Sequence, residues 1–495
     1  MKKTVIVLLA LLAAPIPATA GGMISISADK VSIYTAPIMM GGKLLVKAYK
    51  GESYLAINET SDWYKVRLED GSIGWINKSQ VVKSEDKVPA DMGASVEQLN
   101  RERARLDEER RLFEEQKSLI EDMKRLDDEK KGFGSSKNAG NLIVDATGAG
   151  DFRTIGEAVA AAASGAKITV KAGLYKEGLI IEKDGITVEG EPGAEVVSSD
   201  ACTLYFNAST GTVKNLKLMY DGRVSYPCVD IAGGRLLLED CELAGSTHRG
   251  LVIREGAFPI VRRNKIHDAR QDGVYVGDNA RGTIEENDIY ANGMAGIEIT
   301  SGADPLVRRN AIHDGKGTGI YVYDHGKGLI KDNDIYGNAF AGIAISKGAT
   351  PIALGNKVHD GLGSGVFVID HGGGVLEEND IFGNAKAGVE IKSGADPVVR
   401  KNKVHDGNGS GIYIADRGRG TIEDNDIYGN VYAGIDIYVG SDPVIRMNRI
   451  NRNGSGIYVA YGNGKIKDND LRDNRNGAIS TIGNCFIEKS NNVEN

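Results

Sequence analysis

From about residue 260 onward, apolar and polar positions recur with a fixed step of 23 residues. Asparagine marks the step at Asn264, Asn287, Asn310, Asn333, Asn356, Asn379, Asn402, Asn425 and Asn448, with Asn469 two residues early. Between these markers lie short alternating runs such as Gly273-Val274-Tyr275-Val276, Gly296-Ile297-Glu298-Ile299 and Gly319-Ile320-Tyr321-Val322. Alternation over so few residues between Gly and Asn turns predicts strands and leaves no room for a helix. A repeat of this length cannot bury its apolar face alone and must stack on its neighbours. The pattern predicts a right-handed parallel β-helix over residues 141–495, with three short strands in each coil of about 23 residues.

The rest of the chain has other rhythms. Residues 24–83 hold strand-like runs around Gly turns, among them 44–49, 63–68 and 71–76. Over 90–131 charged residues dominate, and Leu99, Leu106, Phe113 and Ile120 recur every seven, with Leu112, Leu119 and Leu126 in an offset line. This predicts a long helical, coiled-coil-like spacer able to self-associate, although Arg103, Arg110, Lys117 and Lys124 thin its seam. Residues 132–140 read as a flexible joint. Thr154-Ile155-Gly156-Glu157 is a capping box opening a short Ala-rich helix, expected to cap the solenoid. At the start, Lys2 and Lys3, an apolar run and Ala18-Thr19-Ala20 form a secretory signal over residues 1–20, which predicts a periplasmic or secreted product.

Charge and cysteine narrow the partners. A net charge of −8 argues against nucleic acid, and no later segment is apolar enough for a transmembrane anchor. Four cysteines are too few for a disulfide framework; Cys202 and Cys228 could pair on adjacent coils, and at least two of the four are expected as buried small apolar residues.

Asp62-Trp63-Tyr64-Lys65-Val66, Asp70-Gly71 and Gly74-Trp75-Ile76 resemble the bacterial SH3 domain. The resemblance implies a small barrel that binds peptidoglycan or peptide, with Trp63 at the ligand. Asp145 to Phe152 and the helix after them resemble the opening of pectin esterases, whose catalytic segments have no counterpart downstream. The Asn-x-Ile-x-x-Asn and Gly-Ile-x-Ile repeat over 200–480 is similar to the broad β-helix family that includes mannuronan C-5 epimerases, periplasmic copper-maturation proteins and some F-box substrate receptors.

Stacking places residues 23 apart in columns about 4.8 Å apart. Basic and acidic residues alternate beside the asparagines, which sets the register, because a slip of one coil would put like charges together. One outward column runs His267, Tyr290, His313, Tyr336, His359, Phe382, His405, Tyr428. Another runs Tyr275, Glu298, Tyr321, Ala344, Phe367, Glu390, Tyr413, Asp436, Tyr458. Aromatics interleaved with carboxylates suit a sugar polymer, so the second column is the expected ligand face. Its bland alternative is ring packing that stiffens the sheet.

If the solenoid is a uronate lyase or epimerase, the best-placed set is Tyr321, Asp324, His325 and Lys347, with Asp370 and His371 two coils on. The epimerases' Asp-Pro-His-Asp string is missing, and the Asp-His pair recurs as part of the repeat. Histidines two coils apart are too distant to share zinc; calcium between turn carboxylates is the one metal left open. The leading expectation is an exported envelope protein that binds polysaccharide or cell-wall material. A lyase or epimerase and a protein–protein scaffold are the alternatives.

Overall fold

The computed structural model describes residues 22–35, 44–50, 52–60, 62–68, 73–83 and 140–494. The chain divides into two compact units, Met1–Glu108 and Glu109–Asn495. The signal at 1–20, the helix expected over 90–131 and all but the last residue of the joint at 132–140 lie outside the described residues. Among the described residues there is one α-helix, Ile155–Ala161. The expectation of a long helical spacer is therefore not supported, and the fold class is corrected to a mainly-β parallel solenoid of about 15 turns with a small antiparallel unit before it. Seven-residue lines interrupted by basic residues are weak grounds for a helix.

The first unit is a seven-stranded sheet: β1 Gly22–Ile26, β2 Lys30–Tyr34, β3 Leu44–Tyr49, β4 Ser53–Glu59, β5 Trp63–Arg67, β6 Ile73–Asn77 and β7 Val81–Lys83, in spatial order β3-β2-β6-β5-β4-β1-β7. Alternate residues turn inward, so Ile24, Ile33, Val66 and Ile76 form its core. Gly74 is required there, because any side chain would run into Ile33. Both tryptophans are half-buried, and Trp63 meets Tyr34 edge-on at 6.1 Å.

In the second unit the coils stack their strands into three parallel sheets of 16, 13 and 14 strands, the first, second and third, with the end coils incomplete. Register follows the 23-residue step: Val261 pairs with Ile284 in the first sheet, Ile266 with Ile289 in the second, and Val274 with Ile297 in the third. The inward Ile and Val side chains form one continuous core from Val144 to Ala478.

The asparagines occupy the corner between the first and second sheets, buried. The Asn310 amide group and backbone N–H both donate to the Asn333 side-chain carbonyl at 2.9 and 3.0 Å, and the link repeats from Asn264 to Asn492. The residue before each asparagine takes a left-handed conformation, as at Arg309 with φ 52° and Asp332 with φ 53°. The ladder offsets that strain, and Gly355 fills the slot once. Charges pair across rungs, as Arg308 does with Glu285 at 2.8 Å. The Arg400–Glu377 pair, at 3.0 Å, is fully buried.

The helix α1 (Ile155–Ala161) covers the open end with Ile155, Ala158 and Val159. The Thr154 hydroxyl accepts from the Glu157 N–H as the capping box requires. A second coil completes both ends of the helix: Glu177 accepts from Ile155 and Gly156 N–H, each at 2.8 Å, and Lys183 donates to the Ala162 carbonyl at 3.1 Å. All four cysteines are free thiols. No Cys202–Cys228 bridge forms; Cys228 and Cys241 are buried, and burial pushes both thiols up to about 12. No described helix is long and apolar enough to cross a membrane.

Candidate functional site

The third sheet carries the residues expected at the ligand face in a single ladder. Tyr275, Glu298, Tyr321, Ala344, Phe367, Glu390, Tyr413, Asp436 and Tyr458 are paired rung by rung. The flanking Ile and Val residues point into the core, so alternation turns this row outward. The aromatics are half-buried, and in three coils a large side chain just past the strand, two positions on, stands beside the row. Tyr321 stacks on Tyr323 at 4.7 Å, and Tyr413 meets Tyr438 at 5.1 Å. This second row, Tyr323, Lys392 and Tyr438, was missed in the sequence, although the same two-residue period exposes it.

Toward the C-terminal end the face opens into a groove of about 690 Å³. It brings together Glu390, Tyr413, Asp436 and Tyr458, with Tyr432 and Tyr438 added. Each carboxylate is held by a hydroxyl 26 residues earlier. Ser364 donates to Glu390 at 2.5 Å, and Ser410 donates to Asp436. Lys392 pairs with Glu390 at 2.5 Å and lies 5.1 Å from the Tyr413 ring centre. Burial holds the Asp436 carboxyl above the usual range, against its hydrogen bond from Ser410.

At the other end the same relation changes chemistry. The column that supplies the serines reads Ala295, Thr318, Ala341, Ser364, Ala387, Ser410, but before these it holds Arg249 and Asp272. Asp272, almost wholly buried, therefore stands where a hydroxyl would face the next carboxylate, Glu298. Burial, then the Asp272 charge, push the Glu298 carboxyl up to about 7, against Arg249 and the Tyr323 hydroxyl. Arg249 bonds Asp272 at 3.1 Å, reaches Glu298 at 3.5 Å and lies 3.9 Å from the Tyr275 ring centre. Nδ1 of the neighbouring His248 is buried with no hydrogen-bond partner among the described residues. A break in the repeat column was the signal that sequence reasoning passed over.

Of the candidate catalytic set, Tyr321, Asp324, His325 and Lys347 are neighbours, linked through the Tyr323 ring and the bond from His325 N–H to the Lys347 carbonyl at 3.3 Å, while Asp370 and His371 stand two coils on. Asp324 and His325 are consecutive left-handed residues of the turn after the third sheet, with φ 48° and 61°, and their side chains are 54% and 80% exposed. Asp370 and His371 repeat that turn two coils on, as do Asp416 and Arg417. The turn requires the left-handed conformation, which Asp tolerates and which Ser301, Lys347 and Ser393 take in the coils between. Asp370, His371, Asp416, Arg417 and Arg419 line a smaller hollow of about 430 Å³. Lys347 lies 5.2 Å from the Tyr323 ring centre, and the Tyr321 hydroxyl bonds Ser346 at 3.0 Å.

The second sheet carries the His and aromatic column as one stack from His267 to Tyr428, with ring centres 4.6–5.4 Å apart. In His313 both ring nitrogens are engaged, by Asp314 at 2.8 Å and Asp288 at 2.9 Å, and His359 and His405 repeat this. Rings stacked on both faces and bonded at both nitrogens have little left for a ligand. Among the described residues no group of three or more His, Cys, Asp or Glu side chains is placed to hold a metal.

The description "right handed beta helix region" matches residues 202–358 and 352–493. The chain belongs to the right-handed β-helix family. No curated protein matches it. Similar solved structures include the A-module of the Azotobacter vinelandii mannuronan C-5 epimerase AlgE4, at 16% identity over 68% of this chain and 93% of that one, with a TM-score of 0.39. The AlgE6 A-module from the same organism shares 17% identity over 67% and 93%, with a TM-score of 0.41. The catalytic domain of a GH87 α-1,3-glucanase in complex with tetrasaccharides shares 12% over 96% and 87%, with a TM-score of 0.45.

Proposed function

We propose that this β-helix protein is exported to the cell envelope and binds polysaccharide along its third sheet. The observation that carries the reading is the groove over Glu390, Tyr413, Asp436 and Tyr458. A concave strip of half-exposed rings with carboxylates between them offers apolar faces to pyranose rings and acceptors to their hydroxyls. The signal-like residues 1–20 support export. The Trp63 and Trp75 motifs, on a small antiparallel unit, support a wall-binding SH3-type module over 24–83.

Affinity electrophoresis through gels containing soluble cell-wall glycans tests the reading. The Tyr413→Ala, Tyr438→Ala double variant should keep its circular-dichroism spectrum and bind about tenfold or more weakly, since a stacked ring contributes ~1–3 kcal/mol. Unchanged retardation would move the site elsewhere.

One observation favours a second reading, a carbohydrate-active enzyme. Glu298 is a carboxyl held near neutral pH beside a buried partner carboxylate, the condition for a group that exchanges a proton at working pH.

A further inference from the structure

The third-sheet face has a period of two coils, and this period specifies a ligand geometry. Aromatics stand on every second rung, at Tyr275, Tyr321, Phe367, Tyr413 and Tyr458, while the rungs between carry Glu298, Ala344, Glu390 and Asp436. The turn that borders this row alternates in the opposite phase. Met294, Phe340 and Tyr432 project with 52%, 63% and 65% of their surface exposed, and Lys386 is exposed in the same series. The coils between them place Gly317, Gly363 and Gly409 at this position, because a side chain there would run into the backbone of Met294, Phe340 or Lys386. Successive coils therefore offer two environments in turn: a glycine notch beside an aromatic, with Lys316, Leu362 or Asn408 exposed one position earlier, then a projection beside a carboxylate or alanine. The full step is two strand spacings, roughly 9.6 Å.

We infer that the face is a ruler for an extended, diequatorially 1,4-linked glycan lying along the solenoid axis, one sugar to each coil. The inference rests on the glycan-binding reading of the third sheet. In such a chain each pyranose is flipped relative to the last, so that neighbouring sugars present opposite edges and the structure repeats at the disaccharide. That repeat is close to two coils in length, and its alternation of edges matches the alternation of notch and projection. Axially linked chains coil or buckle and fall out of step within a few sugars. The carboxylates on the intervening rungs favour a neutral or N-acetylated chain over a polyuronate, which would set like charges together.

Titration calorimetry on the full chain tests this with hexasaccharides of defined linkage. Cellohexaose or chitohexaose should bind at least about tenfold more tightly than maltohexaose, and affinity should rise about tenfold from tetra- to hexasaccharide as another aromatic is engaged. An oligomannuronate of equal length and similar linkage should bind more weakly than cellohexaose. Equal affinity across linkages, or affinity that stops rising at the disaccharide, would overturn the ruler while leaving a glycan site. Absence of binding to every glycan would overturn the binding reading as well. Deleting one coil (residues 353–375, the Phe367 rung) should abolish the gain with chain length, because it leaves no more than four rungs in phase on either side. Deleting two (residues 330–375) joins Tyr321 to Glu390 in phase and should preserve it. Equal behaviour of the two deletions would contradict the inference, and the linkage panel on the parent decides the matter if the one-coil variant does not fold.

Discussion

Glu298 depends on a neighbour that no repeat template supplies. In the other rungs a serine hydroxyl donates to the outward carboxylate, as Ser364 does to Glu390, and the carboxylate is accommodated. With Asp272 in that position the two carboxyls compete, and protonation of Glu298 relieves the conflict. The sign for stability follows. A carboxyl raised in the folded state favours folding below its unfolded value, ~4.3, and that contribution fades as pH rises through about 7. The parent should therefore lose stability between pH 5 and pH 8, on the order of 2 kcal/mol from this group, and Glu298→Gln should flatten the slope. Thermal midpoints of both proteins across that range measure it; parallel profiles would show that Glu298 ionises freely. Column reading made Glu298 visible in the sequence, but its chemistry was hidden, because Asp272 lies 26 residues away and adjoins it only through the turn geometry. Asp324 and His325 show the reverse: their residue types suit proton chemistry, but their recurrence was visible in the sequence, and their left-handed backbone places them in a repeated turn.

The strands are too short to be stable alone, and the corner ladder joins them along the axis. Asn333 accepts from the Asn310 backbone and side chain and donates to Val307 and Asn356, all within 3.0 Å. Asn333→Ala leaves buried donors of Asn310 without an acceptor and should cost about 2–4 kcal/mol, against less than about 0.5 kcal/mol for the exposed Lys357→Ala. Denaturant midpoints compare the two, and equal losses would remove the ladder as a source of stability. This element was legible because its 23-residue period is strict and only one residue type makes the contact. The helix cap was half legible. Thr154 and Glu157 read as a capping box, but Glu177 and Lys183, which close both helix ends, belong to a later coil. The spacer expected over 90–131 lies outside the described residues, whose one α-helix is Ile155–Ala161.

At the scale of the molecule, three parallel sheets around one Ile and Val core give two long outward faces that differ in use. The second sheet spends its rings on one another, His313 between Tyr290 and Tyr336, and its imidazole nitrogens on aspartates. The third keeps its rings half-open above a groove. Sequence columns located both faces and favoured the one with interleaved carboxylates, but the stacking of the other and the groove depth of this one come from side-chain packing. The most direct test of the account is hydroxyl-radical footprinting of the full chain with and without saturating chitohexaose, read by mass spectrometry. Tyr413, Tyr432 and Tyr458 should lose reactivity together while Tyr290, Tyr336 and Tyr428 do not change. Protection of the second-sheet tyrosines instead, or no protection on the third sheet with the sugar bound, would contradict it.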